Sequence, residues 1–191
     1  MNRRKAIKSL FVLGVGAFAG VESFKFLSLR KKPDLAELHR YKPLIAELAE
    51  TIIPATDTPG AKDVKAEDCI CALIQDCSDR TTQNKFIYGL EDLESYSHSE
   101  FGNSFIKCNN MQRNKILQHF EDAGKPYKGI MGKVQNKFFG KSFFTTLKIY
   151  TAIAYCTSME GATKGLAYDY IPGGYGACIP IMPGQKSWAT K

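Results

Sequence analysis

Between residues 134 and 158, Phe139, Phe143, Leu147, Tyr150, Ala154 and Thr157 recur at steps of four, four, three, four and three. Phe138, Phe144 and Ile153 widen the stripe. That spacing belongs to one face of a helix and conflicts with the two-residue period of a strand. So broad an apolar face must be covered on more than one side. The segment therefore reads as the central helix of a packed domain, and its rings as core. Directly downstream, Pro172, Pro180 and Pro183 alternate with Gly173, Gly174, Gly176 and Gly184. Proline removes a main-chain donor and clashes with the preceding helical turn, so no helix runs beyond about Tyr170. A Gly/Pro-rich tail that extends over the surface, or over a partner, is expected from about residue 165.

Upstream the same period recurs in shorter pieces. Leu38, Tyr41, Leu44, Ile45, Leu48 and Ile52 line one face of residues 34–54. Pro43 fits only near a helix start, so the main helix begins about there, and Pro54 ends it. Residues 54–63 carry two prolines and a glycine and read as a turn-rich loop. Further helices are predicted over 65–76, over 80–98 with Asp79 as cap, and over 111–122 with Asn110 as cap and Gly124 as stop. Residues 99–110 read as irregular. The expected fold is all-α: an irregular bundle of about five helices, a long central C-terminal helix and an extended tail. It forms one domain over residues 33–191.

The net charge of +7 sits entirely at the N-terminus. Residues 1–32 hold eight Lys/Arg against Glu22 alone, while residues 33–191 hold 18 of each sign. A neutral body lacks the basic stripe that nucleic-acid binding needs, so no such partner is expected. The basic residues 1–8, the apolar run Leu10–Val21 and the small-x-small Ala17-Phe18-Ala19 make the three-part build of an export signal, with cleavage expected before Gly20 and an uncleaved membrane tether as the alternative. The run is shorter than the roughly 20 residues that cross a bilayer. Arg3-Arg4 followed by Ile7 and Lys8 resembles the twin-arginine export motif. Residues 1–32 are thus read as signal and linker, and the compartment as periplasmic.

Six cysteines, Cys69, Cys71, Cys77, Cys108, Cys156 and Cys178, would meet an oxidising compartment. Sequence leaves their pairing open. A bond joining Cys178 to Cys77 or Cys156 would tie the tail to the body. A zinc site is not expected, because Cys69-x-Cys71 has no second tight pair.

Catalytic signatures are missing. No Gly-x-Gly-x-x-Gly follows a strand, and no P-loop lysine is present. His39, His98 and His119 have no metal spacing, and Ser158 in Thr-Ser-Met-Glu-Gly is no nucleophile elbow. The pairs Glu47/Glu50 and Glu91/Glu94 read as solvated helix surface. No catalytic, cofactor-binding or metal residue is assigned, and the chain is not expected to be an enzyme by itself. Twin-arginine export serves proteins that fold before crossing, commonly around a cofactor. A chain with that signal and no cofactor motif suggests that the signal serves a partner.

Three stretches carry a resemblance. Thr51-Ile52-Ile53-Pro54-Ala55-Thr56-Asp57-Thr58-Pro59-Gly60-Ala61 resembles the opening signature of the gluconate 2-dehydrogenase subunit 3 family. Tyr155-Cys156-Thr157-Ser158-Met159-Glu160-Gly161-Ala162 is similar to its Tyr-Thr-Ser-Glu-x-Gly pattern, with Cys156 inserted and Met159 displacing the Glu. The tail from Tyr170 to Ala189 is similar to its C-terminus. The resemblance implies a non-catalytic accessory (small) subunit of a periplasmic FAD-dependent sugar or sugar-acid dehydrogenase, supporting export, maturation and stability of its flavoprotein. It implies FAD on a partner of the glucose-methanol-choline (GMC) oxidoreductase type. It implies haem c on a cytochrome c subunit where one is present, and membrane association through the complex at most. Thr56, Asp57, Thr58 and Pro59 in the loop, and Tyr170, Pro172, Tyr175 and Trp188 in the tail, are the expected partner contacts. The alternatives are a stand-alone exported sugar-binding or structural domain, and a small periplasmic oxidoreductase.

Overall fold

The computed structural model describes residues 28–125, 141–171, 173–174, 178 and 180–189. Among these the fold is all-α. Helix α1 (Leu35–Arg40) starts at Asp34, whose side chain accepts from Ala36 N at 3.0 Å. Tyr41 joins it to α2 (Lys42–Ile52), which carries Pro43 in its first turn, where a missing N–H costs nothing. After the 54–63 loop come α3 (Ala66–Cys77) and α4 (Arg80–Phe101). Asp79 caps α4 by accepting from Thr82 N, and Gly102 closes it at φ 68°, a left-handed conformation that favours glycine. A 3-10 turn, Phe105–Lys107, leads to α5 (Asn110–Ala123). The cap of α5 is Asn109 rather than the expected Asn110. Asn109 accepts from Gln112 N, and the Gln112 side chain accepts from Asn109 N, a reciprocal capping box.

The last α-helix, α6 (Phe143–Thr157), is capped by Ser142 and spans 15 residues. The predicted helix started at 134. Its first seven positions, with Phe138 and Phe139, lie outside the described residues. The serine hydroxyl that satisfies Thr145 N is what starts the helix at 143. Helix α4, at 22 residues, is the longest described. Helix α6 packs against α2, α3, α4 and α5.

The core is built from Leu44, Ile45 and Leu48 of α2, Ile70 and Ile74 of α3, Phe86, Leu90 and Leu93 of α4, Ile116 of α5 and Leu147 of α6. Burying each such side chain contributes about 1.5–3 kcal/mol. Helices α4 and α6 approach at Gly89, where a Cβ would stand 2.2 Å from the Phe143 ring. Phe143 in turn meets Phe86 and Phe120 at ring-centre distances of 5.3 and 6.1 Å. Buried Gln83 satisfies the end of α3: its Nε2 donates to the carbonyls of Ile74 and Gln75. No described helix is long and apolar enough to cross a membrane.

All six cysteines are free thiols. The expected bond among Cys77, Cys156 and Cys178 is not formed in this structure, where all three are exposed. Cys71 is buried, and burial pushes its thiol up to about 11.

Candidate functional site: a stapled loop and an exposed C-terminal loop

The 54–63 loop is folded on itself by carboxylates. Glu50 Oε1 accepts from Ala55 N and Oε2 from Lys62 N, each at 2.9 Å, so one side chain clamps both arms. Ala61 N donates to Ile53 O, and Gly60 N donates to the Asp63 carboxylate. A Cβ on Gly60 would stand 2.5 Å from both Glu50 carboxylate oxygens and 2.6 Å from Ala55 N. Only glycine fits beside the clamp. At the tip, Thr56 N donates to Thr58 O and Thr56 Oγ1 to Asp57 Oδ1, both at 3.0 Å. Thr56 and Asp57 are exposed, while Thr58 and Pro59 are half-buried.

A second carboxylate holds the loop to α5. Glu47 Oε1 accepts from Lys62 Nζ and Oε2 from the Arg113 guanidinium, both at 2.6 Å. Arg113 also donates to Ile106 O at 2.6 Å and lies over the Phe105 ring. Partial burial disfavours the Glu47 charge, but hydrogen bonds from Lys62 and Arg113 and their positive charges outweigh it and hold the carboxyl below its usual range. The sequence reading placed Glu47 and Glu50 in solvent. Spacing puts both on one helix face but does not reveal that a loop and a distant helix fold back onto that face.

Glu91/Glu94 needs the same correction. Glu94 accepts from Ser104 Oγ and Phe105 N. Burial, then a hydrogen bond and charge repulsion from Glu37, raise the Glu91 carboxyl.

The second signature builds a knuckle. Ser158 Oγ donates to Tyr155 O at 2.7 Å and accepts from Gly161 N at 3.0 Å. Gly161–Gly165 then form one π-helical turn. A Cβ on Gly161 would stand 2.0 Å from Tyr155 O, and one on Gly165 would stand 2.4 Å from the Tyr155 hydroxyl. The turn thus winds round Tyr155 and fixes where the tail departs. With its hydroxyl committed to main chain on both sides, Ser158 serves the fold.

From Leu166 the chain makes an excursion that closes on itself. Ala167 N donates to Ser187 O and Ala189 N to Ala167 O, both at 2.8 Å, an isolated parallel bridge between Ala167 and Trp188. Lys186 Nζ donates to Lys164 O beside it. A turn at Gly184, φ 75°, is held by Met182 N donating to Gln185 Oε1. The apolar side chains of this loop face outward: Tyr170 is 84% exposed, Ile171 76%, Ile181 88% and Trp188 51%. Among the described residues, only Tyr88, Ile106 and Met111 of the large exposed apolar side chains lie before residue 150.

Tyr170 and Trp188 are therefore brought into one loop. Pro172 and Tyr175 lie outside the described residues, as do Arg3, Arg4, Ile7 and Lys8. Among the described residues no group of three His, Cys, Asp or Glu could hold a metal ion. Glu47, Glu50, Lys62 and Arg113 were missed by sequence reasoning.

A family model described as gluconate 2-dehydrogenase subunit 3 matches residues 40–173. It takes in the stapled loop and the knuckle and ends inside the C-terminal loop. No curated protein and no solved structure matches the chain.

Proposed function

Since this chain belongs to the gluconate 2-dehydrogenase subunit 3 family, we propose that it is the non-catalytic small subunit of a periplasmic FAD-dependent sugar or sugar-acid dehydrogenase. In this reading it carries the flavoprotein subunit through export and stabilises it afterwards. The observation that carries the reading is the outward set of Tyr170, Ile171, Ile181, Met182 and Trp188 on a loop whose base is closed. Apolar side chains gathered in one exposed segment stabilise a complex when a partner covers them. Their aromatic members are the residue types enriched at the energetic centres of interfaces.

The stapled loop has a different part. Main-chain donors of Ala55, Thr56, Gly60, Ala61 and Lys62 are held within the chain, so it offers Thr56 and Asp57 as a preformed polar edge. The flavin belongs to the GMC-type partner. A cytochrome c subunit would take the electrons where one is present.

Export is tested by changing Arg3 and Arg4 to lysine and following both proteins. The expected result is that this chain and the co-expressed flavoprotein are both held in the cytoplasm, with dehydrogenase activity missing from the periplasm. A flavoprotein that still reaches the periplasm in full amount contradicts the escort role.

A further inference from the structure

The chain enters the fold through a docked turn. Lys31 N donates to Ser28 O at 3.3 Å, and the turn lies against α4. Asn84 on α4 is only 5% exposed, and its Nδ2 donates to the carbonyls of Leu29 and Lys31, each at 2.9 Å. Two facing carbonyls fix which end of the amide is nitrogen. Half-buried Leu29 borders an open groove with Lys85, Tyr88, Gly89 and Phe143. The two Asn84 hydrogen bonds are the main hold on the turn.

That turn carries Arg30, Lys31 and Lys32, three consecutive cations whose side chains are exposed. To an endopeptidase that cuts after basic residues this is the most attractive short stretch behind the N-terminal leader. Yet such enzymes take their substrates as extended strands and bind the main chain. Here two of the carbonyls are already held by a buried amide. Opening the turn breaks both Asn84 hydrogen bonds together, so both must be given up before the main chain can extend.

We infer that Asn84 is a folding-coupled latch that shields the Arg30-Lys31-Lys32 junction from proteolysis. A cut at the small-x-small site before Gly20 then leaves residues 20–32 on the folded body, and the junction itself is cut only when the latch opens. The place of this junction behind an export leader rests on the reading of residues 1–32; the shielding does not.

Trypsin digestion of the purified full chain, followed by intact mass, tests it. In the native protein, cuts after Arg30, Lys31 and Lys32 should be at least about a hundredfold slower than in the urea-unfolded chain. Asn84→Ala should raise junction cutting about tenfold or more, with cuts inside α2–α5 unchanged. Leu29→Ala, which removes no core residue, should raise it in the same selective way if Asn84→Ala fails to fold. Native cutting at the unfolded rate overturns the latch. So does an unchanged rate in the variants, or a rise at every site together. If the junction is shielded but the flavoprotein crosses without Arg3 and Arg4, the latch stands and the export reading falls.

Discussion

The 54–63 loop and the 166–189 loop both carry residues by which the family resemblance was read, and they are built in opposite ways. In the first, Glu50 and Asp63 satisfy main-chain donors, and Glu47 ties the Lys62 side chain of the loop to Arg113 of α5. In the second, one parallel bridge, one lysine contact and one turn hold the base, while the apolar side chains point to solvent. A loop that satisfies itself contributes to the stability of the lone chain. A loop that exposes its apolar residues contributes when something covers it. Substitutions in the two loops should therefore fail in different assays.

The largest effect is expected at the clamp. Gly60→Ala drives a methyl into both Glu50 oxygens, and denaturant unfolding should show a loss of about 2–3 kcal/mol. Glu50→Ala, which leaves two main-chain donors without their acceptor, should lose about 1–3 kcal/mol. Loss of partner binding with unchanged stability in either variant would erase the contrast between the loops.

A smaller effect follows from Glu47. Its folded-state carboxyl titrates below the ordinary value of 4.5. The stability it contributes is thus fully present above that pH and is lost as pH falls through the lower folded value. Urea melts between about pH 5 and pH 3 should show wild type losing more stability than Glu47→Gln. Parallel curves would mean that the Lys62 and Arg113 contacts contribute nothing.

The smallest stability effect belongs to the C-terminal loop. Tyr170→Ser and Ile181→Ser alter side chains that are 84% and 88% exposed, and unfolding should shift by no more than about 0.5 kcal/mol. A shift above about 2 kcal/mol would place these side chains in the fold of the lone chain.

The helical class was legible because three- and four-residue spacing is local, and so were Asp79 as a cap and Pro43 as a helix start. Asn109 could have been read from Gln112 three residues later; a neighbouring asparagine hid it. The staple was not legible. Arg113 meets Glu47 across 66 positions, and no local pattern encodes that pairing. Lys65 enters α3 at φ 52°, a conformation that lysine does not announce. Among the described residues from Leu166 onward no helix forms, and proline forbids one directly. Its closure through Ala167 and Trp188 uses main-chain groups, which carry no residue signature.

The most direct test measures the affinity of this chain for a co-expressed dehydrogenase subunit, purified and titrated calorimetrically. The double variant Tyr170→Ser/Ile181→Ser should bind at least about thirtyfold more weakly than wild type, or about 2 kcal/mol, while its unfolding curve stays in place. Equal affinity for the double variant and wild type would contradict the assignment of the C-terminal loop as the partner-facing surface.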